Sequence, residues 1–176
     1  MTISLTIDTA TAQTIVGLLD GNNVLFHETH VGATDHGRAV SELVARALAI
    51  GPAPDQVIVG MGPGPFTGLR VGIAFAQSFA LARQIPVIGI CSLDAIAIEK
   101  ESYTVAIDAR RKEIYWARYQ GGQRVEGPSV NKPDEVSSFI IDCFPSPLKM
   151  VALAKSENIL EPMYLRRPDA VPTVDR

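Results

Sequence analysis

A strand, turn, strand unit occurs twice in this chain at a constant offset of 100 residues, and that repetition limits the folds open to it. Asp8 closes the alternating run Ile3, Leu5, Ile7, and Asp108 closes Tyr103, Val105, Ile107. Second strand-like runs follow, Gln13 to Leu19 and Lys112 to Tyr119, and Gly21 answers Gly121 at the next turn. Two copies of one hairpin predict two related lobes, each built on a sheet, with the boundary near residue 101 and lobes spanning 1–100 and 101–176.

Between the copies the periodicity alternates between strand and helix. Residues 22–29 read as a third strand, 36–48 as a helix with Val40, Leu43, Val44, Ala47 and Leu48 on one face, and 56–61 as a strand. A helix over 67–83, a strand over 86–90 and a short helix capped by Ser92 through Ile98 complete the first lobe. In the second lobe, Pro133 is placed to start a helix through Ile141, which Pro145 and Pro147 would end. The order β-β-β-α-β-α predicts an α/β lobe whose helices cover a mixed sheet.

The junction at Gly62-Pro63-Gly64-Pro65-Phe66-Thr67-Gly68-Leu69-Arg70 is unlike an ordinary loop. Its glycines permit backbone angles closed to other residues, while Pro63 and Pro65 stiffen the path between them. Thr67 stands where an N-cap would, and Arg70, in a first turn whose dipole disfavours a cation, is expected to answer a carboxylate or another anion. The spacing fits neither G-x-x-x-x-G-K-[ST] nor G-x-G-x-x-G, so the segment is read as shaping the start of a helix. That helix carries Gly68, Gly72, Ala76 and Ala80 at every fourth position, with apolar residues on its other faces, so it must be covered on more than one side. Arg70 and Gln77 interrupt it too early for a membrane span.

With these residues in view, the chain resembles the bacterial TsaB family, formerly called YeaZ, whose hallmark is a GPGSFTGLR-like loop running into a similar helix. ISLTIDTATAQTIVGLL is similar to the family's first hairpin, PVIGICSLDAIA to the strand and helix after the hallmark, AIDARRKEIYWA to the second-lobe hairpin, and EPMYLRRPDA to the carboxyl end. Two departures are visible: Pro65 replaces the usual Ser, and the stretch between Cys143 and Glu161 is abbreviated. The resemblance implies an actin, hexokinase and Hsp70-like (ASKHA) fold with duplicated lobes, the second shortened. In that superfamily the hairpin turns grip ATP phosphates and magnesium. Here they read Asp8-Thr9-Ala10-Thr11 and Asp108-Ala109-Arg110-Arg111, without the glycines that let a triphosphate approach, so the nucleotide site is read as degenerate and no cofactor is expected. The aspartates are read as fixing the turns through backbone N–H groups rather than as holding a cation.

Composition agrees with a globular protein. The 176 residues are 47% hydrophobic and 20% charged, enough for a full core. A net charge of −3 lacks the basic field of a stand-alone nucleic-acid binder, and Arg110-Arg111-Lys112 and Arg166-Arg167 are short enough to be solvated faces. Met1 leads directly into the first strand, so no secretory signal is expected, and Cys91 and Cys143 lack metal or disulfide spacing, which fits the cytoplasm. No H-E-x-x-H or G-x-S-x-G is present, and His27 and His30, three apart in a strand, face opposite ways, so neither a peptidase nor a metal site is expected.

The resemblance therefore implies a non-catalytic subunit that pairs with the catalytic paralogue TsaD, with TsaE joining, in making threonylcarbamoyladenosine in tRNA, which this chain would contact only indirectly. His36, Val40, Leu43, Gly72, Ala76, Phe79 and Ala80 are the interface residues expected, and homodimerisation would use the same patch. Two other readings stand beside it: an ATP-dependent small-molecule kinase of the same superfamily, and a self-associating structural domain.

Overall fold

The computed structural model describes residues 1–166; Arg167, with the Pro168-Asp169-Ala170 end of the carboxyl-terminal match, lies outside them. Three antiparallel strands open the chain, β1 (Ile3–Asp8), β2 (Gln13–Asp20) and β3 (Asn23–Val31). The helix α1 (His36–Ile50) then crosses to β4 (Gln56–Gly60), and α2 (Phe66–Arg83) to β5 (Val87–Ile90). The five strands form one mixed sheet in the order β3-β2-β1-β4-β5, with β4 parallel to β1 and β5 parallel to β4. This is the α/β lobe with a mixed sheet that the sequence predicts.

Alternation of side chains in the strands decides what each sheet face covers. Leu5 and Ile7 of β1, Val16 and Leu18 of β2, and Val57 and Val59 of β4 turn to one face and pack on Val40, Leu43, Val44 and Ala47 of α1 and Leu69, Ile73, Ala76 and Ala80 of α2. Leu19, Ile58 and Ile90 turn to the other face. There they meet Met150 and Val151 of α3 (Pro147–Leu153), a helix that Pro147 starts rather than the helix end expected. Proline at the first helical position loses no hydrogen bond, which is why the same residue type serves either purpose.

The second copy folds as a three-stranded meander, β6 (Ser102–Asp108), β7 (Ile114–Gln120) and β8 (Gln123–Asn131). β8 was not evident in the sequence, because Gly127 and Pro128 interrupt its pattern; in space they coincide with a register shift against β7 between Trp116 and Arg118. The second hairpin pairs one residue out of step with the first, Asp8 lying opposite Ile15 and Asp108 opposite Ile114, so its turn is one residue shorter. Beyond β8 the copies diverge. The expected helix from Pro133 to Ile141 is only a 3-10 turn, Pro133–Glu135, after which Ile140 makes an isolated parallel bridge to Val105, the place β4 holds beside β1. What remains of the second lobe's α/β crossover is one turn and one bridge.

The chain then returns to the first lobe. α3 packs on β1, β2 and β4, Ile159 N–H donates to the Gly89 carbonyl at 2.8 Å, and Gly89 N–H donates to Asn158 Oδ1 at 3.1 Å. The carboxyl-terminal stretch thereby covers the edge of β5, so the two lobes do not divide at a single point near residue 101. The short helix expected from Ser92 is a run of turns, its Ala95 and Ile96 N–H groups bonded to Cys91 and Leu93. Met150 has no exposed surface and anchors α3, so Met150→Ala should lower the unfolding free energy by about 2–5 kcal/mol in urea titration. A loss under 1 kcal/mol would mean α3 adds little to the lobe.

Candidate functional site

The turn between β1 and β2 is sealed by the first half of α2. Thr9 is 2% exposed and Ala10 has no exposed surface. The Thr9 hydroxyl donates to the Gly68 carbonyl at 2.8 Å and accepts the Gly72 N–H at 3.1 Å, taking a place along the α2 backbone itself. A β-carbon at Gly64 would stand 2.6 Å from the Ala10 carbonyl oxygen and one at Gly68 2.7 Å from that of Thr9; at Gly72 it would overlap the Thr9 side chain. Gly64 and Gly68 of the hallmark loop are therefore explained by contact with this chain's own turn, whereas Gly62 has a φ of 94° and faces Leu69. Pro65 precedes the helix, α2 begins at Phe66, and Thr67 lies exposed inside the first turn without capping it, which corrects the N-cap assignment.

Asp8 sits beneath this contact with no exposed surface. Its Oδ1 accepts the Ala10 N–H at 2.9 Å and its Oδ2 accepts the Ser92 hydroxyl at 2.6 Å. Ser92 Oγ in turn accepts the Gly62 N–H at 3.2 Å, and Ser92 N–H donates to the Gly62 carbonyl at 2.8 Å. The aspartate thus ties β1, the start of the hallmark loop and the end of β5 together, and a β-carbon at Gly60 would overlap its carboxylate. Burial pushes its carboxyl up to about 6, against the lowering effect of the Ser92 and Ala10 hydrogen bonds. Asp108 repeats the local turn, its Oδ1 accepting the Arg110 N–H at 2.7 Å, but it is exposed and pairs with the Arg110 guanidinium at 3.4 Å. Arg110, Arg111 and Lys112 all have positive φ, at 63°, 56° and 62°, so the second turn keeps a left-handed path that glycine would favour.

Between the lobes lies a cleft of about 460 Å³ lined by Thr11, Thr34, His36, Gly37, Thr67, Gly68, Val71 and Arg110, among others. His36, expected as a partly exposed interface residue, is instead 4% exposed. Its Nδ1 is 2.8 Å from Thr14 Oγ1, and burial lowers its affinity for a proton.

The small-residue face of α2 points inward. Gly72, Ala76 and Ala80 are buried, as are Val40 and Leu43 of α1, and Phe79 is half-buried, so the side chains expected at a partner interface mostly build the core. Shape alone could not settle this, since a stripe of small residues admits a backbone from either side of the helix. The exposed surface of α2 runs through Thr67, Ala74, Ser78 and Leu81, with half-buried Val71 between them at the same helical spacing, and Leu81 is 80% exposed. Sequence reasoning missed this second stripe, although the same period marks it. Among the described residues Arg70 has no carboxylate partner; its guanidinium lies 3.9 Å from the centre of the Phe66 ring and its Nε donates to Tyr164 Oη at 3.4 Å. The anion expected for Arg70 is replaced by aromatic rings.

Comparison with known proteins follows the same features. The family model for TsaD, tRNA N6-adenosine threonylcarbamoyltransferase, matches residues 30–171. TsaB of Escherichia coli, a tRNA threonylcarbamoyladenosine biosynthesis protein, is 36% identical over 75% of this chain and 63% of its own length. The structure of YeaZ from Pseudomonas aeruginosa superposes with a TM-score of 0.73 at 26% identity, over 88% of this chain and 91% of that one. The chain belongs to the TsaB family. A second structure, described as similar to peptidase YEAZ from Pseudomonas aeruginosa, gives a TM-score of 0.79 at 25% identity over 94% of this chain. Ser92 and Asp8 are bonded here without a histidine, and His36 pairs with Thr14, so these residues do not form a hydrolase triad.

Length varies among the relatives of this TsaB-family chain. It spans 57% of an uncharacterized Mycobacterium leprae protein at 39% identity, and 93% of an uncharacterized Mycobacterium bovis protein at 40% identity. The latter alignment runs over 197 positions, more than the 176 residues of this chain, so that relative carries residues missing here.

Two expectations follow from this geometry. Thr9→Val keeps the shape and removes both hydroxyl bonds to α2; it should cost about 1–3 kcal/mol of stability, measured by urea unfolding. Because the folded-state affinity of Asp8 for its proton is raised from 3.8 to about 6, the native state binds the proton more tightly than the unfolded chain, so this group's stabilisation is greatest below pH 4, falls as pH rises to about 6, and is flat above. Asp8→Asn should remove that slope; equal slopes in variant and wild type across pH 4–6 would contradict the assignment.

Proposed function

We propose that this protein is a non-catalytic subunit of the machinery that makes N6-threonylcarbamoyladenosine in tRNA, acting in the cytoplasm by docking a catalytic paralogue of the TsaD type. Family membership supplies the pathway, since its named relatives are threonylcarbamoyladenosine biosynthesis proteins. The observation that carries the non-catalytic reading is the occupied turn. Thr9 lies in the backbone groove of α2, and glycines 64, 68 and 72 close over Thr9 and Ala10, so the first-lobe turn has no room for nucleotide phosphates. A kinase of this superfamily would need that turn open.

Docking would use the outward stripe of α2: Thr67, Val71, Ala74, Ser78 and Leu81, with the exposed Gly37, Ser41 and Ala45 of α1 beside it. Small side chains there let a partner helix approach closely, and Leu81 offers an apolar contact. Without TsaD, a second copy of this chain would cover the same stripe, and TsaE would join the pair once formed. No helix among the described residues is long and apolar enough to cross a membrane, and contact with tRNA would come through the partner.

The test is Ala74→Arg. Ala74 is exposed, so the monomer should unfold within about 0.5 kcal/mol of wild type. Co-purification with TsaD, and restoration of threonylcarbamoyladenosine in cells depleted of their own TsaB, should both be lost. Wild-type pairing by the variant would move the interface off α2. Ala76→Trp is the contrasting control: Ala76 has no exposed surface, and a bulky residue there should disrupt the fold.

A further inference from the structure

The cleft between the lobes shares Gly37, Thr67 and Val71 with the docking stripe, yet its inner wall has features that docking does not use. The first turns of two long helices line it, α1 through His36 and Gly37 and α2 through Thr67 and Gly68. Neither helix has a side-chain cap at its N-terminus. Ala39 N–H bonds the Asp35 carbonyl at 3.0 Å and Leu69 N–H bonds the Pro65 carbonyl at 3.0 Å; among the described residues, the N–H groups of residues 36–38 and 66–68 before them have no acceptor. Two sets of free N–H donors, each at the positive end of a helix dipole, therefore border one cavity.

The buried histidine supplies an independent sign. His36 is 4% exposed, its Nδ1 is engaged by Thr14, and its Nε2 has no partner among the described residues while its ring forms part of the cleft wall beside Gly68. A nearly buried imidazole with one nitrogen unpaired at a cavity wall is placed to meet a ligand atom. In the tautomer in which Nδ1 accepts the Thr14 hydroxyl proton, Nε2 carries the ring hydrogen and is a donor. Arg110 reaches the same cleft from the second lobe, and the hydroxyl-bearing residues Thr11, Thr34 and Thr67 stand around it. The nearest carboxylates are engaged elsewhere: Asp35 with Arg38 and His30, and Asp108 with the Arg110 backbone N–H and guanidinium. The polar side chains lining the space are the three threonine hydroxyls, the His36 imidazole and the Arg110 guanidinium, with no carboxylate among them.

We propose that this cleft binds a small oxyanion-bearing ligand, a phosphate or a carboxylate, held by the first turns of α1 and α2 and clamped from the second lobe by Arg110. A volume of about 460 Å³ accommodates a small metabolite. A nucleotide gripped in the ASKHA manner is ruled out by the sealed turn at Thr9 and Ala10, so the binding mode differs from that of the kinases. Because the ligand spans both lobes, it would also fix their relative position.

Binding is measured on the full chain by isothermal titration and by thermal shift, with inorganic phosphate in one arm and malonate in the other. Saturable binding of phosphate alone assigns a phosphate ester, of malonate alone a carboxylate; either supports the site. Arg110→Gln, a change at an exposed residue, should weaken binding about tenfold. Thr67→Glu places a carboxylate in the first turn of α2, where the dipole favours it, and should abolish binding of either probe while raising the melting temperature. If neither probe binds saturably at millimolar concentration, or if binding is unchanged in both variants, the proposal fails. This result is independent of whether Ala74→Arg disrupts pairing.

Discussion

The hydroxyl of Thr9 does two jobs at one place on α2, donating to the Gly68 carbonyl and accepting the Gly72 amide. That contact fixes how close the β1-β2 turn comes to the helix, and the glycines follow from it. With the turn pressed against the helix, residue 64 lies on the backbone of Ala10, residue 68 on that of Thr9 and residue 72 on the Thr9 side chain, so any β-carbon would push the helix away. Asp8 is buried as a consequence, and its carboxylate must be satisfied locally by Ala10 and Ser92. The β1-β2 turn is spent on internal packing.

The two lobes keep one hairpin plan but differ in how much is built around it. The first has five strands with helices on both faces; the second has three strands, one 3-10 turn and an isolated bridge at Ile140. Yet the aspartate-closed turn survives in both, with Oδ1 of Asp8 and of Asp108 accepting the N–H two residues on. In the first it is buried under α2, and in the second it is exposed and carries Arg110 toward the cleft. One piece of local geometry thus serves packing in one lobe and presents a cation in the other.

Much of this was legible in the sequence, and the failures are instructive. The hairpins, α1, β4, α2 and β5 were evident from alternation and helical period, because each buries one face against a large partner. The β8 strand was hidden by Gly127-Pro128, the short helix at Ser92 was overestimated because that hydroxyl bonds Asp8 rather than capping, and Pro147 was read as a stop although it starts α3. At the site, the glycine loop and both aspartate turns were found. The orientation of α2 was not: an apolar helix with small residues on several faces gives no moment that distinguishes Ala76, inside, from Ala74, outside.

Residue order alone determined the doubling, the mixed α/β architecture and the absence of glycine from both aspartate turns, because these depend on local backbone freedom and on the period of burial. Only the folded chain decided which side of α2 remains free, that α3 and the residues after it return to the first sheet, and that His36, Arg110 and two uncapped helix starts face one cleft. Those relations join residues far apart in sequence, and they are set by how rigid elements fill space, for which no neighbouring residue carries a signal.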